Sequence, residues 1–249
     1  NRFFKCLKSH IFQFYKSIRT MRLVILFFLS CVLLSCEGKK TKTITPKKSD
    51  STSITKKVTT EKKEPNFLLS DANVMEFFLD YDQKHKENKV RITTDFGTID
   101  IQLFEETKFH RSNFIYLIKK KYFDQTQFYR VIPNFVIQGG NSDDRQTLRK
   151  RQKIGKYLLP NDYDKGFKHH RGMLSMPSKN IENPYKKASP FEFFIVQQRG
   201  GAHHLDGDYT IFGNVIRGMD VVDKIAAVPT DASDWPLQNV FIRKVEILE

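Results

Sequence analysis

No cysteine follows Cys36: the three in the chain are Cys6, Cys31 and Cys36. A domain built from residues beyond Cys36 cannot be held by a disulfide, and no Cys/His zinc spacing exists. Acids are missing from residues 1–35, which carry six Lys/Arg. The run from Leu23 to Ser35 has thirteen residues without a charge, short of the ~20 that a membrane span needs. Nor does the later sequence keep the basic excess of a nucleic-acid binder. The net charge is +14, but residues 37–64 hold nine Lys and four acids, which leaves 27 basic and 24 acidic residues for 65–249. The basicity belongs to the leading segments, and no nucleic-acid partner is expected. No internal repeat is present. What remains to hold a fold is an apolar core, which 22 phenylalanines can supply.

The leading segments divide by composition. Residues 1–20 lie upstream of Met21 and read as an upstream extension. Residues 21–35 have the charged start and short apolar core of a secretory signal. The end of that stretch, Leu33-Leu34-Ser35-Cys36, resembles a bacterial lipoprotein processing box. The resemblance implies cleavage before Cys36, acylation there, and a lipid anchor in a bacterial cell envelope, facing the periplasm. An ordinary signal or an uncleaved anchor is the other reading. Residues 36–65, with the lipidated cysteine first, are rich in Lys, Thr and Ser. They bury too little to offset chain entropy and read as a disordered tether spanning roughly 30 Å.

From residue 66 the patterning changes. Ser70-Asp71 can cap a helix to about Lys86, with Val74, Phe77, Phe78 and Tyr81 on one face. That helix makes 66–88 an N-terminal extension. "VRITTDFGTIDIQLF" (90–104) holds two β-rich runs around Asp95-Phe96-Gly97, a hairpin. "TKFHRSNFIYLIKKKYF" (107–123) spaces Phe114, Ile115, Leu117 and Ile118 as a helix with lysines at its C-terminal end. Strands are expected at 126–131, 134–139, 172–177, 191–197, 210–216 and 239–248, with a helix near 218–226. The basic run "RQTLRKRQKIGK" (145–156) lies in a polar stretch, 141–171, that is poor in strand signals, and reads as a solvated loop. Many short strands with few helices indicate an all-β barrel or sandwich.

"FYRVIPNFVIQGG" (128–140) puts an arginine and a glutamine into strands that ought to be apolar. With "GMLSM", "FEFFIV" and "HLDGDYTIFGNVIRGMDVVDKI" in the same order, and "GTIDIQLFEE" upstream, residues 89–249 resemble the cyclophilin-type peptidyl-prolyl cis–trans isomerases. The resemblance implies a mainly β fold: a closed eight-stranded antiparallel barrel with a helix over each open end. It also implies an active groove on the outer wall for proline-containing polypeptides. A monomer is expected.

Rotation about an X–Pro amide meets a barrier of about 18–20 kcal/mol from resonance, and no bond breaks. Such a reaction needs no nucleophile, metal or cofactor. A fixed cation that donates to the amide nitrogen as it regains its lone pair stabilises the twisted form. The resemblance places Arg130 in that role, and a guanidinium stays charged. It places Phe135, Val136, Phe194 and Leu205 around the proline ring. Tyr209 stands where many members carry a pocket histidine, and Gln138 would bond substrate backbone and position Arg130. Taken alone, Arg130 also reads as a strand-edge arginine in a surface ion pair, the four apolar residues as core, and Gln138 as a turn residue before Gly139-Gly140. Strict alternation puts Phe135 opposite Val136 and Gln138, so a bulge or two-sided groove is required.

Several positions depart from the family pattern. Glu192 stands in place of a common glutamine, where it could pair with Arg130 and touch substrate. His204 takes the position of a tryptophan found in cyclosporin-sensitive members and is expected to touch substrate. Pro177 and Ser178 replace residues that often contact substrate backbone. These departures leave two other readings open, a proline-peptide-binding holdase and a displayed envelope module.

Overall fold

The computed structural model describes residues 67–178 and 183–249; the leader, Cys36, the tether to Asn66 and residues 179–182 lie outside the described residues. The order is β1 (Leu69–Ser70), α1 (Val74–Lys84), β2 (Lys89–Thr94), β3 (Gly97–Leu103), α2 (Lys108–Lys119), β4 (Thr126–Ile132), β5 (Val136–Asn141), α3 (Arg145–Ile154), β6 (Gly155–Lys156), β7 (Met173–Met176), β8 (Phe193–Val196), β9 (Thr210–Arg217), α4 (Met219–Ala226) and β10 (Val240–Ile247).

Eight strands close into a barrel in the order β10-β2-β3-β9-β7-β8-β5-β4, and β10 pairs back onto β4. Every pair in it is antiparallel. Closure leaves no open edge for another chain to extend. Phenyl rings fill the inside. Phe114 of α2 meets Phe123, Phe193 and Phe212 with ring centroids 4.7, 5.5 and 5.5 Å apart, and Phe128 meets Phe193 at 5.9 Å. All five are essentially without solvent contact. At Gly139 a Cβ would stand 3.0 Å from the Phe128 ring, so the strand passes the ring only without a side chain.

Alternation along β8 and β5 splits these strands between two apolar clusters. Phe193, Ile195 and Ile137 join the barrel core, while Phe194, Val196 and Val136 form a separate cluster with Ala202 on the outer wall. Both faces are covered, which is why β8 reads as an unbroken apolar run.

The expected helices form, with shorter ends. α1 packs on α2 through rings: Phe77, Phe78 and Tyr81 lie 5.2, 5.9 and 5.5 Å from Tyr116. The extension thus shares the barrel's core cluster. Asn73, rather than Ser70 or Asp71, stands at the N-cap position of α1; its side chain makes no capping bond and instead accepts from the Ser70 N–H at 2.8 Å.

The stretch expected as a solvated loop holds α3 instead. Asp144 caps it by accepting from the Gln146 N–H at 3.0 Å. Good helix formers fill it, and only Thr147 and Ile154 are buried. Two inward residues seven apart give too thin a stripe to be read as a helix period. Gly155 then ends α3 at φ 136°, where a Cβ would collide with the Leu69 carbonyl.

One buried ion pair ties the extension to the barrel cap. Arg111 of α2 is 1% exposed and donates to Asp82 of α1. Ser112 Oγ donates to the same Asp82 oxygen at 3.1 Å, and Lys86 to the other at 2.9 Å. Burial pushes the Asp82 carboxyl up, but the Lys86 and Arg111 bonds outweigh it and hold the group below its usual range. Removing the acid strands a buried cation. Asp82→Ala is expected to cost about 3 kcal/mol in urea unfolding. A loss below ~1 kcal/mol, the range of a surface pair, would show that the link carries no weight.

Candidate active site on the outer barrel wall

Phe128 and Val131 of β4 both face the core, three residues apart where alternation allows two or four. The register explains it: Phe128 lies opposite Gly139 and Arg130 opposite Gln138, so β4 carries an extra residue, Tyr129. This bulge sends Arg130 outward. Phe135 precedes β5 in the turn at Asn134, whose φ is 56°. It is therefore free of the alternation that governs Val136 and Gln138.

Arg130, Phe135, Val136, Gln138, Phe194, Leu205 and Tyr209 line one cavity of about 340 Å³, with Pro177 and Ser178 at its side. Phe194 forms the floor, with Tyr209 edge-on to it at 5.8 Å. The wall from the short turn His203–Leu205 rests on Asp206, which accepts at 2.8 Å from both the backbone N–H and the ring Nδ1 of buried His169. His169 also stacks behind Phe194 at 6.0 Å. Pro177 and Ser178 do reach the cavity despite their departure from the family pattern.

Two expected contacts are not made. Glu192 does not face Arg130. It accepts from Tyr129 Oη at 3.0 Å and lies 3.5 Å from the Arg151 guanidinium, because it precedes β8 on the α3 side. It lines a second groove with Leu68, Arg151, Tyr157 and Phe191. His204 is not on the cavity wall; its ring stacks on Phe135 at 5.3 Å and supports it from outside.

Two residues at the site escaped the sequence reading. Asp234 Oδ2 lies 3.3 Å from Arg130 Nε, and the Asp234 carbonyl accepts from the Val131 N–H at 2.8 Å. Asp231 shapes that loop by accepting from the Ser233 and Trp235 N–H groups at 2.8 and 2.9 Å. An acid three residues after a turn-forming Asp was the available signal. Tyr129, the bulged residue, donates to Glu192 and accepts from Gln138 Nε2. A polar residue between Phe128 and Arg130 was its only mark.

A cavity on the outer wall of a closed barrel, lined by apolar side chains with a cation and an amide among them, is a candidate binding site. Residues 89–247 match the family model described as cyclophilin type peptidyl-prolyl cis-trans isomerase. The peptidyl-prolyl cis-trans isomerase of Acinetobacter baylyi is 35% identical over 164 residues, which cover 64% of this chain and 84% of that protein. Peptidyl-prolyl cis-trans isomerase-like 2 of Rhizopus delemar is 34% identical over 169 residues, covering 67% of this chain but only 30% of its own length. A crystal structure of a Cryptosporidium parvum cyclophilin type peptidyl-prolyl cis-trans isomerase superposes with a TM-score of 0.55 at 28% identity, over 66% of this chain and 98% of that one. The same protein in the presence of the dipeptide Ala-Pro gives 0.54 at 28% identity, over 65% and 99%. The chain belongs to the cyclophilin-type peptidyl-prolyl cis–trans isomerase family.

The support of the pocket wall has a pH signature. Burial raises the Asp206 carboxyl, but bonds from His169 and then His203 outweigh it and bring it from 3.8 to about 2. A folded value below the unfolded one means that its stabilisation is complete above the unfolded value and is lost as pH falls through about 2. Carboxyl NMR titration is expected to place Asp206 near 2. A midpoint at the ordinary 3.8 would show that the His169 contacts are not held in solution.

Proposed function

We propose that this chain isomerises X–Pro bonds by stabilising the twisted amide in the outer groove, and that it does so on exported proteins at a bacterial envelope. The observation that carries the catalytic part is the pairing of a half-exposed cation with an apolar seat whose floor, Val136 and Phe194, is buried. Arg130 has Asp234 beside its Nε at 3.3 Å, and its Nη atoms make no hydrogen bond among the described residues. They are available to donate to the proline nitrogen, while Phe135, Val136, Phe194 and Leu205 receive the ring. As rotation proceeds, the nitrogen loses conjugation and becomes an acceptor. A donor fixed beside it then binds the twisted state better than the planar one. A gain of 10⁵ in rate requires about 7 kcal/mol from all such effects together.

The binding-only alternative drew on the altered loop at Pro177 and Ser178 and on Glu192. Glu192 turns to Tyr129 and Arg151 and leaves Arg130 unneutralised by it, which favours the catalytic reading; the loop residues line the same cavity under either reading. The envelope setting rests on the signal-like residues 21–35 and the processing box before Cys36.

In protease-coupled assays of X–Pro peptides, wild type is expected to accelerate exchange. Arg130→Ala is expected to lose about 10²–10³-fold in kcat/KM, the size of one removed transition-state donor. A folded wild type with no acceleration across several residues before proline would sink the enzymatic reading.

The anchor is tested separately. In bacterial cells fed labelled palmitate, wild type is expected to take up label and Cys36→Ser to take up none. Equal labelling of the two would remove the anchor.

A further inference from the structure

We propose that Glu192 and Tyr129 are positioning residues that fix which end of the Gln138 amide faces substrate. The inference rests on the isomerase reading above and deepens it. Gln138 belongs to the cavity wall, whereas Glu192 opens on the separate groove beside α3. Tyr129 connects the two.

The argument is one of hydrogen-bond polarity. An ionised carboxylate accepts and cannot donate. A tyrosine hydroxyl has one proton. With Glu192 Oε2 at 3.0 Å, that proton goes to Glu192, so the hydroxyl oxygen is left to accept. Gln138 Nε2 is the group that donates to it. The Gln138 carbonyl oxygen is thereby the end left for the cavity, ready to accept a backbone N–H from the polypeptide.

The relay is held at both ends. The Tyr129 hydroxyl keeps its proton: burial raises its pKa first, and the Glu192 charge raises it further. Glu192 Oε1 faces Asn141 Nδ2 at 3.4 Å and Arg151 at 3.5 Å. Arg151 is itself seated by donating to Tyr122 Oη at 2.8 Å, and Tyr122 donates to the Gly140 carbonyl at 2.7 Å. A glutamine at 192 could donate as well as accept. The hydroxyl proton could then turn toward Gln138 and present the NH₂ end to substrate. The charge at Glu192 is what removes that second arrangement.

The test compares Glu192→Gln, Tyr129→Phe and Gln138→Ala in peptide kinetics. Gln138 would hold substrate alike in its ground and transition states. The first two variants are therefore each expected to raise KM about five-fold, the worth of one hydrogen bond, with kcat little changed. The double variant is expected to be no worse than either, and neither change is expected to add to Gln138→Ala. Arg130→Ala, by contrast, lowers kcat, so the two roles separate. Side-chain amide NMR of Gln138 gives a readout that does not depend on turnover. One amide proton is expected to carry the Tyr129 bond in wild type, and to lose it in Tyr129→Phe. Unchanged KM in both variants, additive losses on Gln138→Ala, or an unmoved Gln138 amide would each overturn the proposal. If wild type has no activity, the isomerase reading fails by itself while the amide signal still tests the relay.

Discussion

A barrel filled with interlocked phenyl rings has no interior to offer a ligand. Phe114, Phe123, Phe128, Phe193 and Phe212 leave room for side chains only, as an eight-stranded barrel of this kind allows. The chemistry must therefore sit on the outside of the wall. That constraint makes β5 and β8 serve two apolar clusters at once, Phe193 inward and Phe194 outward. It also requires a local break in β4, since an unbroken strand would turn Arg130 to the same side as Phe128. The bulge at Tyr129 resolves a conflict between packing and function that the alternating pattern cannot meet.

Charge at the site is handled by geometry rather than by burial. Arg130 and Asp234 have side chains 40% and 39% exposed at 3.3 Å. Such a pair contributes at most about 1 kcal/mol to stability. Its effect is on direction: Asp234 holds a negative charge beside Nε, on the loop side of the planar guanidinium. Asp234 can do this because its own loop is tied by Asp231 and joined to β4 through Val131. The buried Arg111–Asp82 pair works differently, by joining the N-terminal helix to the barrel cap.

Much of this was legible in the sequence because each expected element has its own period. The hairpin at 90–104, the helix at 107–123 and the outer strands all show it, and the ordered motifs named the barrel. The groove residues Arg130, Phe135, Val136, Gln138, Phe194, Leu205 and Tyr209 were legible through the resemblance, and they meet at one cavity. What escaped depends on contacts between distant segments. Helix α3 is polar nearly all round, and its only buried stripe is Thr147 and Ile154. Asp234 lies 104 positions after Arg130 in the numbering and meets it only once β10 closes the barrel on β4. Glu192 was read by its place in a motif, and a motif does not say which neighbours surround it.

The departure at 192 also shows how a substitution can leave a groove intact while changing what governs it. A carboxylate inside the cavity would compete with substrate for Arg130. Here the bulged Tyr129 interposes its hydroxyl, and Arg151 from α3 supplies an opposite charge on the far side. The acid is thus turned away from Arg130 and toward Tyr129 and Arg151. For a reaction in which no bond breaks, orientation is most of what a site can contribute. On the proposed isomerase reading, a donor beside the proline nitrogen and an acceptor for the adjoining backbone are held before the polypeptide arrives, because each degree of freedom fixed in advance is one that binding does not have to fix. In the proposed relay, a hydroxyl between an acid and an amide fixes the acceptor end of that arrangement with a single proton.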